Sequence, residues 1–457
     1  MCKRLLLALA CLVLTVLWLP GAHYPIVSDT AIYALLGRSL WESGSYTLLG
    51  EPHTKYLPLH AFLSYPLTQL FGVHLGMKVL SLLGGFGVIV LTHLLLASAV
   101  SPVVGLLTAL LLPLHHGFVL MTQLGSADLT FTTLFLAALW AYGRAEGEKC
   151  FYLVAGMFAG LASLTRLNGL PLFALFFLYS SCVRRSGLRS HTFWGGAALG
   201  ITLAGLWAVR NAITFGNPFT TEYISEFQRN APGLLEQFFS NVLFYVNPAH
   251  NILPILFVFS LYGIVRYARA YPLLFWGMLT AWPLTAFWWV QGMRFAFPGY
   301  PILIGFAVLG MRDLWQRLPR YRVAAAAACT AAILVSHLPA HCLYTYGACN
   351  AWFDRTFGWL PKNLGLSSEG FYTWDLARRF INEKVPRGAT VLVDGPVLAE
   401  VWKGGVFRED LTVWDRAHAD PPQCPRYRIT QRPKVGEKTI FTTTDEPLTS
   451  VIEEACP

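Results

Sequence analysis

Apolar residues along the chain fall into runs of about 15 to 20, broken by short segments rich in Pro, Gly and charge, the spacing of bilayer-spanning helices. The runs are Leu5 to Ala22, Met77 to Ala97, Pro102 to Val119, Leu129 to Tyr142, Phe151 to Leu164, Leu170 to Val183, Phe193 to Val209, Ile252 to Val265, Leu273 to Val290, Pro298 to Met311 and Val323 to Leu338. They predict an all-α polytopic membrane protein of about eleven helices over residues 1–338. Several are shorter than the ~20 residues a perpendicular span needs. Lys3 and Arg4 before the first run fit a signal peptide or a retained helix; Pro20 and the lack of an A-x-A site favour the helix.

Two long connections, 23–76 and 210–250, contrast with short ones on the other side. Lys3, Arg4, Arg144, Lys149, Arg184, Arg185, Arg189, Arg266, Arg269, Arg312, Arg317, Arg320 and Arg322 fall on the short-loop side. The long-loop side holds only Arg38, Lys55, Arg166, Arg210, Arg229 and Arg294. Positive charge marks the cytosolic face, so the N-terminus is expected in the cytosol and the long loops outside. Residues 339–457 then form an extracytoplasmic domain, read as small and α/β: Trp374 to Lys384 has helical period, and Ala389 to Val393 and Thr439 to Thr443 read as strands.

Composition agrees: of 457 residues 55% are hydrophobic and 13% charged, against roughly 25% charged in soluble proteins. The tail from residue 340 is close to neutral, so the net charge of +9 belongs to the membrane part, where it sets topology and calls for no nucleic acid. Cys342, Cys349, Cys424 and Cys456 lie in the exported tail, an even number without CxxC spacing. Disulfides are expected there, with Cys342–Cys349 and Cys424–Cys456 preferred among three connectivities. Cys2, Cys11, Cys150, Cys182 and Cys329 read as apolar packing. Gly84, Gly85 and Gly87 sit mid-helix and predict close helix packing. No repeat, low-complexity tract or Gly-rich phosphate loop is visible.

Ionisable groups at the outer helix ends are the chemical candidates. Asp29 opens an amphipathic segment, Ile32 to Trp41, and Asp128 opens the fourth run; each is either a helix cap or a catalytic carboxylate, the cap favoured on position alone. Lys55, Arg166 and Arg294 either snorkel to headgroups or bind an anion, and their company with two carboxylates on one face favours an anionic ligand such as phosphate. His53 and His60 flank Lys55, and His115 and His116 lie at the outer end of the third run; lacking HxH or HExxH spacing, they read as exposed interfacial histidines, with no metal or cofactor expected.

In order, these segments resemble the GT-C class of integral membrane glycosyltransferases, in the branch of protein O-mannosyltransferases and lipid A aminoarabinose transferases. Asp29 with Tyr33 resembles that branch's Asp and following Tyr, with Thr30 where many members have Glu. Lys55-Tyr-Leu-Pro-Leu59 resembles its Lys-Pro-Pro-Leu element, Leu161 to Gly169 its fifth-to-sixth helix turn, Phe215 to Thr220 a later outer-loop phrase, and Arg294 to Pro301 its Arg-aromatic-x-x-Pro-x-x-Pro segment. The likeness spans residues 1 to 320. It implies transfer of a hexose or pentose from a polyprenyl-phosphate donor to a lipid, glycan or protein acceptor, outside the cell membrane and by inverting single displacement. A bacterial inner membrane is expected before an endoplasmic reticulum. Asp29 would be the base, Asp128 auxiliary, Lys55, Arg166 and Arg294 the phosphate ligands, and Tyr33, His53 and His60 substrate-binding. A polysaccharide polymerase or ligase, a lipid-linked sugar transporter or flippase, and a sensor with the tail as ligand-binding domain are the competing readings.

Overall fold

The computed structural model describes residues 2–26, 28–185, 187–230, 233–246, 254–288, 290, 293–317, 319–324, 326–327, 330, 371–393, 395–403, 406–415, 424–430, 437–443 and 449–454. Ten of the eleven apolar runs coincide with helices: α1 (Cys2–Trp18), α4 (Val73–Ala99), α5 (Pro102–Leu111), α7 (Ala127–Arg144), α8 (Phe151–Ser163), α9 (Pro171–Cys182), α10 (His191–Phe215), α13 (Pro254–Tyr267), α14 (Pro272–Thr280) and α17 (Tyr300–Arg317). The run at 323–338 lies mostly outside the described residues. Between these lie α2 (Ser28–Ser43), the antiparallel strands β1 (Thr47–Leu48) and β2 (Glu51–Pro52), α3 (Pro58–Phe71), α6 (His116–Leu124), α11 (Glu222–Asn230), α12 (Leu234–Val246), α15 (Pro283–Phe287) and α16 (Met293–Ala296). Among the described residues four helices are long and apolar enough to cross a bilayer, Lys3–Gly21, Val73–Ala99, His191–Phe215 and Arg294–Arg317, with a fifth candidate in Pro102–Leu114 and Gly117–Leu124, bent by 66°. Among the described residues, length and apolarity therefore support four to five spans. The shorter apolar helices Phe151–Thr165, Leu167–Cys182, Leu256–Tyr267 and Pro272–Phe287 pack among them.

Small residues let the helices approach, as the mid-helix glycines foretell. A Cβ on Gly87 would lie 2.5 Å from Thr133, and Thr133 Oγ1 donates to Gly84 O at 2.7 Å. Closer still are α8 and α10, where a Cβ on Gly156 would meet Gly196 O at 1.9 Å. Lys78, buried in α4, donates to Gly21 O and Tyr24 O, both at 2.6 Å, and so satisfies carbonyls where the chain leaves α1.

The tail is the small α/β unit expected, with α18 (Phe371–Lys384), α19 (Pro396–Trp402) and strands β3 (Thr390–Val393), β4 (Thr412–Asp415), β5 (Arg426–Thr430), β6 (Lys438–Thr442) and β7 (Ser450–Glu454), in the order β4-β3-β5-β7-β6. β3 pairs parallel with β4 and β5; β7 pairs antiparallel with β5 and β6. β3 is buried on both faces, hence its unbroken apolar run. The sheet's core continues into that of α2: Trp402 donates to Ile26 O at 2.9 Å, and Arg38 pairs with Glu400 at 3.1 Å. Cys424 is disulfide-bonded; Cys342, Cys349 and Cys456 lie outside the described residues. Cys11 is partly buried as expected, but Cys150 and Cys182 are exposed, because each sits at a helix end.

Candidate active site

Asp29 stands in the first turn of α2, which begins at Ser28 with φ 52°. Its carboxylate does not cap the helix. Oδ1 accepts from the Tyr56 hydroxyl at 2.6 Å, and Oδ2 accepts from Arg294 of α16. Burial pushes the Asp29 carboxyl up, but Arg294 beside it, the Tyr56 hydrogen bond and Arg166 more than offset this, and it lies below the usual carboxylate range. Tyr56 is moved the other way, by burial first and by Asp29 second, and stays protonated as a donor.

Asp128 stands in the first turn of α7 and is 2% exposed. Its Oδ2 accepts from Ser126 at 2.7 Å and its Oδ1 from Arg166, in the turn before Leu167. The two carboxylate–arginine pairs meet across one ring: the Arg166 and Arg294 guanidiniums lie 5.6 Å and 5.1 Å from the centre of Phe295. Four residues far apart in sequence thus form one cluster.

Lys55 joins it from the loop before α3. Its ammonium pairs with Glu226 of α11 at 2.6 Å and lies 5.5 Å from the Tyr56 ring and 5.9 Å from the Tyr223 ring. Arg210, near the C-terminal end of α10, fixes this loop by donating to His53 O at 2.8 Å and Tyr46 O at 3.0 Å. Tyr33 packs against Tyr56 and His60, ring centres 4.9 Å apart in each case.

The histidines depart from the expectation of exposure: His53, His60 and His115 are 6%, 0% and 3% exposed. Each is held by local structure. His60 Nε2 donates to Gly125 O at 3.1 Å, which leaves Nδ1 to accept from Thr130 at 3.0 Å, so this ring ties α3 to α7. His53 Nε2 accepts from the Tyr56 backbone N–H at 3.1 Å. Both are pushed down to about 4, chiefly by burial, and are neutral at physiological pH. His115 packs against Tyr300 with ring centres 6.0 Å apart. Among the described residues no group of three or more His, Cys, Asp and Glu side chains is arranged to hold a metal.

Every residue read from the sequence as catalytic or phosphate-binding falls in or beside this cluster. Sequence reasoning missed Tyr56, Tyr223, Glu226 and Phe295. Tyr56 and Phe295 neighbour Lys55 and Arg294 in the chain, and that adjacency was a usable signal. Tyr223 and Glu226 lie on α11, which carried none.

No protein-family model and no curated sequence matches the chain. Solved structures do. ArnT from Cupriavidus metallidurans bound to undecaprenyl phosphate aligns over 97% of each chain at 15% identity, with a TM-score of 0.59. The Archaeoglobus fulgidus oligosaccharyltransferase, in a complex with Zn and sulfate, aligns over 89% of this chain and 62% of its own at 14% identity, TM-score 0.56. The archaeal oligosaccharyltransferase AglB from Archaeoglobus fulgidus, in complex with an inhibitory peptide and a dolichol-phosphate, aligns over 90% and 64% at 13% identity, TM-score 0.51. The fold is that of the GT-C membrane glycosyltransferases. Within that fold the match to ArnT extends through the C-terminal unit as well as the helices.

Proposed function

We propose that the chain transfers a sugar from a polyprenyl-phosphate donor to an acceptor hydroxyl or amine on the extracytoplasmic face of a cell membrane. The reading includes a cytosolic N-terminus, about eleven spans over 1–338, and an exported domain at 339–457. Its carrying observation is the convergence of Asp29, Asp128, Lys55, Arg166 and Arg294 in one cluster at the outer helix ends.

The acceptor oxygen or nitrogen attacks the anomeric carbon, its proton passes to Asp29, and the bond to phosphate breaks with the electron pair leaving on polyprenyl phosphate. One displacement inverts the carbon. A neutral alcohol needs such a base, and charge growing on the departing phosphate is stabilised by cations already in place. Lys55 and Arg294 take that role, both less than a quarter exposed. Arg166 holds Asp128, which positions the acceptor.

Arg294 has two tasks in this scheme. Without donor it neutralises Asp29 and makes it a weak base; a phosphate that draws the guanidinium away frees Oδ2 and raises its basicity. Lys55 likewise exchanges Glu226 for phosphate. Donor binding thereby arms the base.

Undecaprenyl phosphate titrated into the purified chain is the direct test, since it needs no knowledge of the sugar. Lys55→Ala and Arg294→Ala are each expected to weaken binding by about tenfold or more, the loss of one charge-assisted hydrogen bond. Asp29→Asn is expected to keep binding and to lose at least about 100-fold in transfer. Unchanged binding in both cation variants, or near-normal turnover of Asp29→Asn, would overturn the assignment.

A further inference from the structure

We infer that a cavity between α7, α8, α9 and α10, at the membrane face opposite the active-site cluster, holds an acyl chain of an anionic phospholipid whose headgroup meets Arg184, Arg185 and Arg189. The cavity measures ≈ 240 Å³ and is lined by rings and aliphatic carbons, among them Tyr142, Tyr152, Phe176, Phe177, Trp194 and Ile201. An apolar cavity of about 150 Å³ already takes up benzene. Tyr142 lies fourteen residues beyond Asp128 on α7, or about 21 Å at ~1.5 Å per residue, so this is no extension of the donor site.

The walls leave little that is polar for water to hold. The Tyr142 hydroxyl is engaged with Ser180 Oγ at 2.6 Å and Phe176 O at 3.1 Å, and shows the cavity only its ring. Gly156 and Gly196, in backbone contact, bring α8 and α10 together beneath it. The mouth faces lipid: Phe177, Trp194 and Ile201 are 47%, 51% and 59% exposed. An apolar chain is the occupant that such walls accept.

Charge at the rim selects the headgroup. Leu188 O accepts from the Trp194 indole at 2.9 Å and ties the basic turn to the mouth. A Cβ on Gly187 would lie 3.0 Å from the Tyr152 hydroxyl, so the turn rests on a lining residue. Arg184 pairs with Glu146 and lies 5.6 Å from the Tyr179 ring, whereas Arg185 and Arg189 are exposed beside it. Guanidiniums suit a phosphodiester that carries net negative charge.

The test uses the full chain in nanodiscs of phosphatidylglycerol and phosphatidylcholine in equal parts, with retained lipids counted by native mass spectrometry. Wild type is expected to keep phosphatidylglycerol preferentially. Ala197→Phe, which fills the cavity, and Ile201→Trp, which closes its mouth, are expected to lose that lipid while melting as wild type does. Arg185→Gln and Arg189→Gln are expected to retain lipid but to lower the phosphatidylglycerol preference by about fivefold each. Equal retention of both lipids by wild type would overturn the proposal, as would undiminished retention in a filling variant that melts normally. Preferential displacement of the lipid by equimolar undecaprenyl phosphate would replace the phospholipid with an isoprenyl occupant and equally overturn it.

Discussion

Replacing Glu226 by Gln is expected to tighten binding of undecaprenyl phosphate, the opposite of what loss of a ligand-holding residue does. In the structure the Lys55 ammonium lies 2.6 Å from Glu226 Oε1, the two side chains 23% and 21% exposed. An incoming phosphate has to displace that carboxylate before it can use the lysine. Exposed ion pairs are worth about 0.2–1 kcal/mol, and hydrogen bonds between charged groups about 1.5–3 kcal/mol. A pair sheltered to this degree falls between them, at roughly 1–2 kcal/mol, or about 5- to 30-fold in affinity. Glutamine keeps a carbonyl that still accepts from Lys55, so the lower end, about fivefold, is expected. Titration of the purified variant beside wild type at one ionic strength measures it. Binding that weakens, or that does not change, would refute the competition and leave Glu226 as a strut for Lys55 in the donor complex.

The exchange of Arg294 predicts that two pH profiles separate. kcat/KM reports the donor-free enzyme and kcat the complex, and Arg294 is the largest influence lowering the Asp29 carboxyl. Ionised Asp29 is the active form, so activity is lost as pH falls through its pKa. The acid limb of kcat/KM is expected below the ordinary carboxylate value of ~3.9, and that of kcat at higher pH; coincident limbs would contradict the exchange. No limb is expected near 6.5 from His53 or His60, each already neutral with its value near 4. Away from the site, Gly156→Ala forces α8 from α10, because the new carbon would sit 1.9 Å from Gly196 O. Overpacking of this kind costs about 1–3 kcal/mol, and an unchanged melting temperature would show that the helices part freely.

Periodicity carried the helices well because lipid imposes one rule on every spanning segment: its backbone must bond internally and its side chains must be apolar. That rule placed ten runs on helices, four or five of them long and apolar enough to span, and says nothing of segments it does not govern. α11 and α12 therefore went unread, as α12 mixes Leu234, Leu235, Phe239 and Leu243, all exposed, with Gln237 and Asn241, both buried. These two amides bond to the carbonyls of Thr285, Ala286 and Trp288, contacts that exist only once α15 has folded back. The tail was legible for the converse reason. Val391–Val393 is an unbroken apolar stretch because every residue of β3 is buried, on both faces of the sheet.

At the site, sequence identified charges but could not pair them. Asp29 and Arg294 are 265 residues apart, and Asp128 on α7 is 38 residues from Arg166 in the turn after α8. Two local features also carried more than their positions suggested. Tyr56 interrupts the Lys-Pro-Pro-Leu-like element, and its hydroxyl donates to the Asp29 carboxylate alongside Arg294. Thr30, where a glutamate is common in the resembled branch, is 4% exposed and donates to Leu124 O at 2.8 Å. A carboxylate there would be buried against a carbonyl, which repels it. The departure at Thr30 is thus tied to the way α2 packs on α6, and it leaves Asp29 with Arg294 as its nearest charge.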